Sequence, residues 1–256
     1  TILGGTTPRE NPQGIFGMNV SEEEFAAVSR DNFLSTDASQ FFFTPTLVNT
    51  GSELVLFDTG LNAAATLSAI EGAGYTADQI DIVVLTHMHG DHIGGLMNDG
   101  APTFANARYV AGQVEYDHWA GAENERFEMN VRPLAEQMTF LGDGGDVVSG
   151  ITGMAAFGHT PGHMVYRLDS AGAGLVIFAD LANHPVWSLA RPDWEVRFDT
   201  DKEAAAASRR NVLGMIAADR VPAVGYHMPF PALGYVDNGN DDAAFRWVPE
   251  AGQLMG

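Results

Sequence analysis

The stretch Leu85–Gly95, LTHMHGDHIGG, decides how the rest of the chain is read. It crowds three histidines and one aspartate into the six residues from His87 to His92. It closes QIDIVVLT (79–86), whose β-branched apolar run after Asp81 reads as a strand buried on both faces. In extended backbone, residues i and i+2 point the same way, so His87 and His89 can grip one ion. Gly90 then turns the chain, and Asp91 and His92 fall at a helix start, pointing elsewhere. That layout suits two ions side by side. Imidazole together with carboxylate favours zinc or a similar first-row metal.

Four residues cannot complete two sites, and the remaining ligands must come from further along. FGHTPGH (157–163) supplies His159 and His163 in a glycine-rich turn, Asp180 ends a strand-like run, and His227 lies in GYHMPFP (225–231) after another. Of the eight histidines, His87, His89, His92, His163 and His227 are read as ligands, leaving His118, His159 and His184. His118 reads as a helix-face residue and His159 as a buried group satisfying the GHTPGH turn. For His184 two readings stand, the border of a substrate pocket or plain packing.

Outward from the cluster, two hairpins match. TLVNTGSELVLFDTG (46–60) and VYRLDSAGAGLVIFADL (165–181) are each strand, glycine turn, strand, ending at Asp58 and Asp180. The pattern points to an internally duplicated α/β sandwich that delivers an aspartate to the same edge from each half. Capping-box spacings at Ser21/Glu24, Thr200/Glu203 and Thr76/Gln79 predict helix or turn starts. The alanine-rich run LNAAATLSAIEGAG (61–74) predicts a helix with a glycine C-cap. LGDGGDVVSG (141–150) reads as a surface turn, and no low-complexity linker divides residues 1–256 into separate domains.

Composition removes several function classes. Thirteen Lys and Arg against thirty-three Asp and Glu give a formal charge of −20, which repels phosphate backbones and anionic membrane surfaces. No apolar run approaches the length of a membrane span. With no cysteine, disulfides and thiolate ligands are excluded. The first residue is Thr1 rather than Met, so the native start is expected to lie outside the chain. A soluble protein of the cytoplasm or periplasm is expected. Its partner is expected to be a small-molecule substrate rather than nucleic acid or membrane, with a homodimer as a permitted assembly.

Taken in order, THMHGDH, GHTPGH, FAD and GYHMPFP resemble the successive ligand motifs of the metallo-β-lactamase-fold hydrolases over nearly the whole chain. Within that superfamily, LVNTGSELVLFDTG, THMHGDHIGGLM, GHTPGH and HMPFPALGYV, with FRWVP near the end, most resemble the methyl parathion hydrolase-like branch. The resemblance implies a single four-layer αββα sandwich domain. It implies one metal held by His87, His89 and His163 and a second by Asp91, His92 and His227, with Asp180 bridging. Zinc is the expected metal, with manganese, cobalt or iron as substitutes. A hydroxide shared by ions about 3.5–4 Å apart would be the nucleophile, with Asp91 and Asp180 as the catalytic carboxylates. Asp58 would hydrogen-bond a ligand histidine from behind. Trp119, Phe127, His184 and Trp187 would border an apolar pocket. The implied reaction is hydrolysis of an ester, lactone or phosphotriester. The alternatives are an N-acyl homoserine lactonase, a glyoxalase-type thioesterase or a mononuclear iron oxygenase. The lack of cysteine argues against the antibiotic-cleaving members that use a cysteine ligand.

Overall fold

In the computed structural model, which describes residues 1–240 and 243–250, the apolar run after Asp81 is the middle strand of a five-stranded sheet. Its side chains alternate between two cores. Ile82 and Val84 face a second sheet, while Val83 and Leu85 face a layer of helices. Such a strand has no polar face, so its sequence shows no alternation.

The chain begins with a two-stranded ribbon, β1 (Gly5–Glu10) against β2 (Ala38–Phe43), with α1 (Glu22–Asp31) between them in sequence. The Ser21 side chain accepts from the Glu24 N–H and starts α1, as its capping spacing predicts. The first sheet follows with β3 (Thr46–Asn49), β4 (Leu54–Phe57), helix α2 (Ala63–Gly72) and β5 (Ile82–Leu85). After the short helix α3 (Gly90–Ile93) comes a small ribbon of β6 (Met97–Asn98) and β7 (Ala101–Pro102). Strand β8 (Arg108–Gly112), helices α4 (Gln113–Ala120) and α5 (Glu125–Asn130), and β9 (Met138–Leu141) complete this half, in the sheet order β3-β4-β5-β8-β9.

The second sheet has seven strands in chain order. They are β10 (Asp146–Val148), β11 (Ile151–Ala155), β12 (Met164–Ser170), β13 (Ala173–Ile177), β14 (Pro222–Val224), β15 (Leu233–Asn238) and β16 (Phe245–Pro249). Helix α6 (Lys202–Asp219) connects β13 to β14. LGDGGDVVSG is therefore more than a surface turn: its second half is the edge strand β10, too short for periodicity to reveal.

Four layers result. Val55, Phe57, Ile82, Val84 and Val110 of the first sheet pack between the sheets against Ile151, Met164, Tyr166, Ile177 and Val224 of the second. Leu54, Leu56 and Val83 pack outward against Ile70 of α2. Val165, Val176 and Ala223 pack outward against Val212, Leu213 and Ile216 of α6. The duplication is visible in the strand pairing. In one half β3 is antiparallel to β4 and β4 parallel to β5 across α2; in the other β12, β13, α6 and β14 repeat that order. Asp58 follows β4 and Asp180 closely follows β13, while the cluster from His87 follows β5 and His227 follows β14. Both halves thus deliver their coordinating groups from the same ends of equivalent strands. No helix among the described residues is long and apolar enough to cross a membrane.

Candidate metal centre

Three ring nitrogens converge after β5. His87 Nε2 lies 3.1 Å from His89 Nδ1, which lies 3.0 Å from Nε2 of His159. A second group joins Asp91, His92 and His227: Asp91 Oδ2 is 3.4 Å from His227 Nε2 and 3.8 Å from His92 Nε2. Asp180 lies between the groups. Its Oδ1 is 3.2 Å from His92 Nε2, and its Oδ2 is 3.1 Å from His227 Nε2 and 3.3 Å from His159 Nε2. Asn183 Nδ2 donates to Oδ2 as well.

The two histidines of GHTPGH, His159 expected to satisfy the turn and His163 expected as a ligand, meet different partners. His159 faces His87, His89 and Asp180. His163 has both nitrogens occupied by backbone: its Nδ1–H donates to Ala156 O at 3.2 Å, and its Nε2 accepts from the Asp180 N–H at 3.2 Å. It meets the backbone of Asp180 on one side and of Ala156 on the other. The reason is local. His163 immediately precedes β12, whereas His159 lies four residues earlier in the loop. That loop is seated by Gly158, whose φ is +126° and whose absent Cβ would lie 2.1 Å from the Ala205 nitrogen of α6. Thr200, expected to cap α6, instead donates its hydroxyl to His159 O; Asp201 caps the helix.

Each ring is oriented from behind. Asp58 Oδ2 accepts from His92 Nδ1–H at 2.8 Å, so Asp58 and Asp180 sit on opposite nitrogens of one imidazole. Asp58 also accepts from the Thr86 N–H and hydroxyl, and the Thr86 oxygen contacts His87 Nδ1 at 3.2 Å. His227 Nδ1–H donates to Phe42 O, and His159 Nδ1–H to Asp199. Asp199 is in turn ion-paired with the buried Arg209 guanidinium at 2.8 Å. These bonds set the tautomers so that Nε2 of His92, His159 and His227 faces the carboxylates. Sequence reasoning missed Asp199 and Arg209, because only the fold brings a loop residue and a helix residue behind His159.

Burial and charge divide the rings. Burial, with His159 nearby, lowers the His89 pKa to about 3. Burial lowers His163 to about 3 as well. For His159 and His227 burial also acts downward, but their carboxylate partners prevail and raise both to about 9. His92 is likewise raised, by Asp180, Asp58 and Asp91 against burial. The same contacts hold Asp180 and Asp91 below the usual carboxylate range despite burial.

Of the expected pocket residues, only Trp119 reaches the centre. Its ring stands edge-on to His89 with centroids 5.8 Å apart. Phe127 is sealed in the core under the first sheet, where Arg132 and Tyr116 cover it. Trp187 is sealed among Phe16 and Phe25, with its indole N–H on Ser29. His184 packs: its ring stacks on Trp187 at 4.0 Å, and its Nδ1 accepts from the Val186 and Trp187 N–H groups. Phe41 and Phe43, unassigned from the sequence, stand edge-on to His227.

The donor set fits divalent metal. His92 Nε2 and Asp180 Oδ1 are buried and make no hydrogen bond, although 3.2 Å apart. A buried polar atom without a partner is costly. Nitrogen and carboxylate ligands at these positions are what a divalent ion would satisfy.

Comparison with known proteins agrees. The family model described as the metallo-beta-lactamase superfamily matches residues 44–224. The N-acyl homoserine lactonase of Bacillus cereus is 27% identical over 111 residues, 43% of this chain and 42% of its own length. Matches to the curated relatives span 23% to 53% of those proteins. Among solved structures, AidC, a dizinc quorum-quenching lactonase in complex with an N-acyl homoserine product, is 28% identical. It superposes with a TM-score of 0.87 over 99% of this chain and 94% of its own. The hydrolase AbOPH, at 23% identity and TM-score 0.90 over 99% and 94%, matches in fold.

Proposed function

The chain belongs to the metallo-β-lactamase superfamily, and we propose that within it the protein is a dinuclear metal-dependent hydrolase that opens a carboxylic ester, with lactones of the N-acyl homoserine type as its first substrate class. The observation that carries the reading is the position of Asp180, whose two oxygens reach both histidine groups. On this reading His87, His89 and His159 would hold one ion and Asp91, His92 and His227 the other, with Asp180 between the two groups. Divalent metal at these positions would supply a nucleophile from water at neutral pH and polarise the carbonyl under attack.

The chain's own residues do the rest. Asp180 is buried and fixed by Asn183, so it holds the two groups in register. Asp91 is the more open carboxylate, its side chain 24% exposed against 4% for Asp180. As the more open carboxylate, it is the group this reading assigns to move a proton to the leaving alkoxide. Trp119 supplies uncharged aromatic surface beside the donor groups, and the buried Phe41 and Phe43 back the His227 ring. A neutral acyl substrate suits such walls and a chain of charge −20 better than a polyanion. The likeness to two lactonases supports the lactone class.

A substrate panel tests the reading. Zinc-loaded protein is expected to hydrolyse N-hexanoyl homoserine lactone faster than p-nitrophenyl acetate or a paraoxon-like triester. Preference for the triester would move the assignment to the organophosphate-hydrolysing branch. Activity on none of them would remove the proposal.

A further inference from the structure

Glu115 is a buried acid that no ligand motif contains. It sits on α4, 1% exposed, and accepts four hydrogen bonds from neutral donors. Oε1 accepts from the Met88 N–H at 2.8 Å and the Trp119 indole N–H at 2.6 Å. Oε2 accepts from the Thr160 hydroxyl at 2.7 Å and the Gly162 N–H at 3.0 Å. Met88 separates His87 from His89, and Thr160 follows His159. One carboxylate therefore ties together the two loops that carry the three rings of the first donor group. It also fixes the tryptophan standing against His89.

We propose that Glu115 is a positioning residue that sets the spacing of the His87, His89 and His159 nitrogens, and so the affinity of that group for its ion. The inference rests on the metal reading given above. A carboxylate suits the task because all four partners are donors: two oxygens offer about four lone-pair sites. A glutamine in its place offers half of them and turns an N–H₂ toward two donors. The loop is moulded to this contact. A Cβ on Gly162 would lie 2.0 Å from the Glu115 nitrogen, so only glycine lets the turn rest on the first turn of α4. The second donor group has no bond to Glu115. Asp91, His92 and His227 are braced by Asp58, Tyr226 and Phe42. Loss of Glu115 should thus weaken one ion and spare the other.

The test is zinc titration of the metal-free protein against a chromophoric chelator, comparing wild type with Glu115→Gln. Glu128→Gln, which breaks an exposed pair with Arg132 on neighbouring α5, serves as the control. Wild type and control should bind two ions. Glu115→Gln should keep both but bind one about 10-fold or more weaker, the scale of an outer-sphere partner. The Trp119 emission change on cobalt binding, assigned with Trp119→Phe, should shift to higher cobalt with the weakened ion. A merely structural role would lower the melting temperature without changing the ratio of the two affinities, and that result overturns the proposal. If wild type binds no zinc, the metal reading fails and this inference with it. If Glu115→Gln does not fold, Thr160→Val decides: it removes one of the four donors and should weaken the same ion several-fold, and unchanged affinity refutes the proposal.

Discussion

His159 and His163 are four residues apart in one short motif and meet different partners: both nitrogens of His163 face backbone groups, whereas His159 pairs with Asp199 and faces Asp180. His159→Ala should therefore remove one of two bound zinc ions, read by elemental analysis. His163→Ala should retain both and instead lower stability by roughly 1–3 kcal/mol, the penalty for leaving a buried backbone N–H unpaired. The reverse outcome would return the ligand role to His163. Titration follows from the same contacts. In the metal-free protein His159 and His227 stay protonated up to about pH 9, and His92 is also raised, whereas His89 is already neutral. A ligand imidazole must give up its proton to bind metal. Zinc uptake at pH 7 should thus release protons. Apparent zinc affinity should climb with pH and level off near pH 9. Calorimetry in buffers of different ionisation enthalpy measures the release, and uptake without it would contradict the charge state of these rings. The stabilisation that the raised pKa values give the metal-free fold runs the opposite way. It is complete below about pH 6.5 and lost as pH rises through about 9.

At the scale of elements, the centre depends on α6 as much as on the strands. Arg209, 1% exposed, pairs with Asp199, which holds His159. Arg209→Met leaves that carboxylate buried without its guanidinium and should cost about 3–5 kcal/mol. Urea unfolding of the metal-free protein reads it directly, and a loss under about 1 kcal/mol would mean the His159 cation alone suffices. The strand skeleton was legible in the residues, because apolar runs and glycine turns report buried strands whatever lies beside them: β5 and both hairpins stand where their sequences put them. The duplication was legible too, since LVLFD and LVIFAD end equivalent strands. What stayed hidden was which polar groups meet. Glu115, Asp199 and Arg209 look like ordinary helix and loop charges until α4 and α6 are folded onto the loops. Phe127 and Trp187 read as pocket aromatics, yet an aromatic in a core and one in a pocket have the same sequence signature.

At the scale of the whole molecule, each half builds a strand-borne aspartate and a histidine loop, and the two halves meet so that Asp58 and Asp180 flank His92. Neither half alone can assemble either donor group with Asp180 between them. Function should accordingly appear with the filling of the shared centre rather than with folding. The most direct test follows the rate of N-hexanoyl homoserine lactone hydrolysis while metal-free protein is titrated with zinc. The account predicts negligible turnover without metal and a rise that reaches its plateau at two ions per chain. Full turnover in the presence of chelator, or a plateau at one ion, would contradict it.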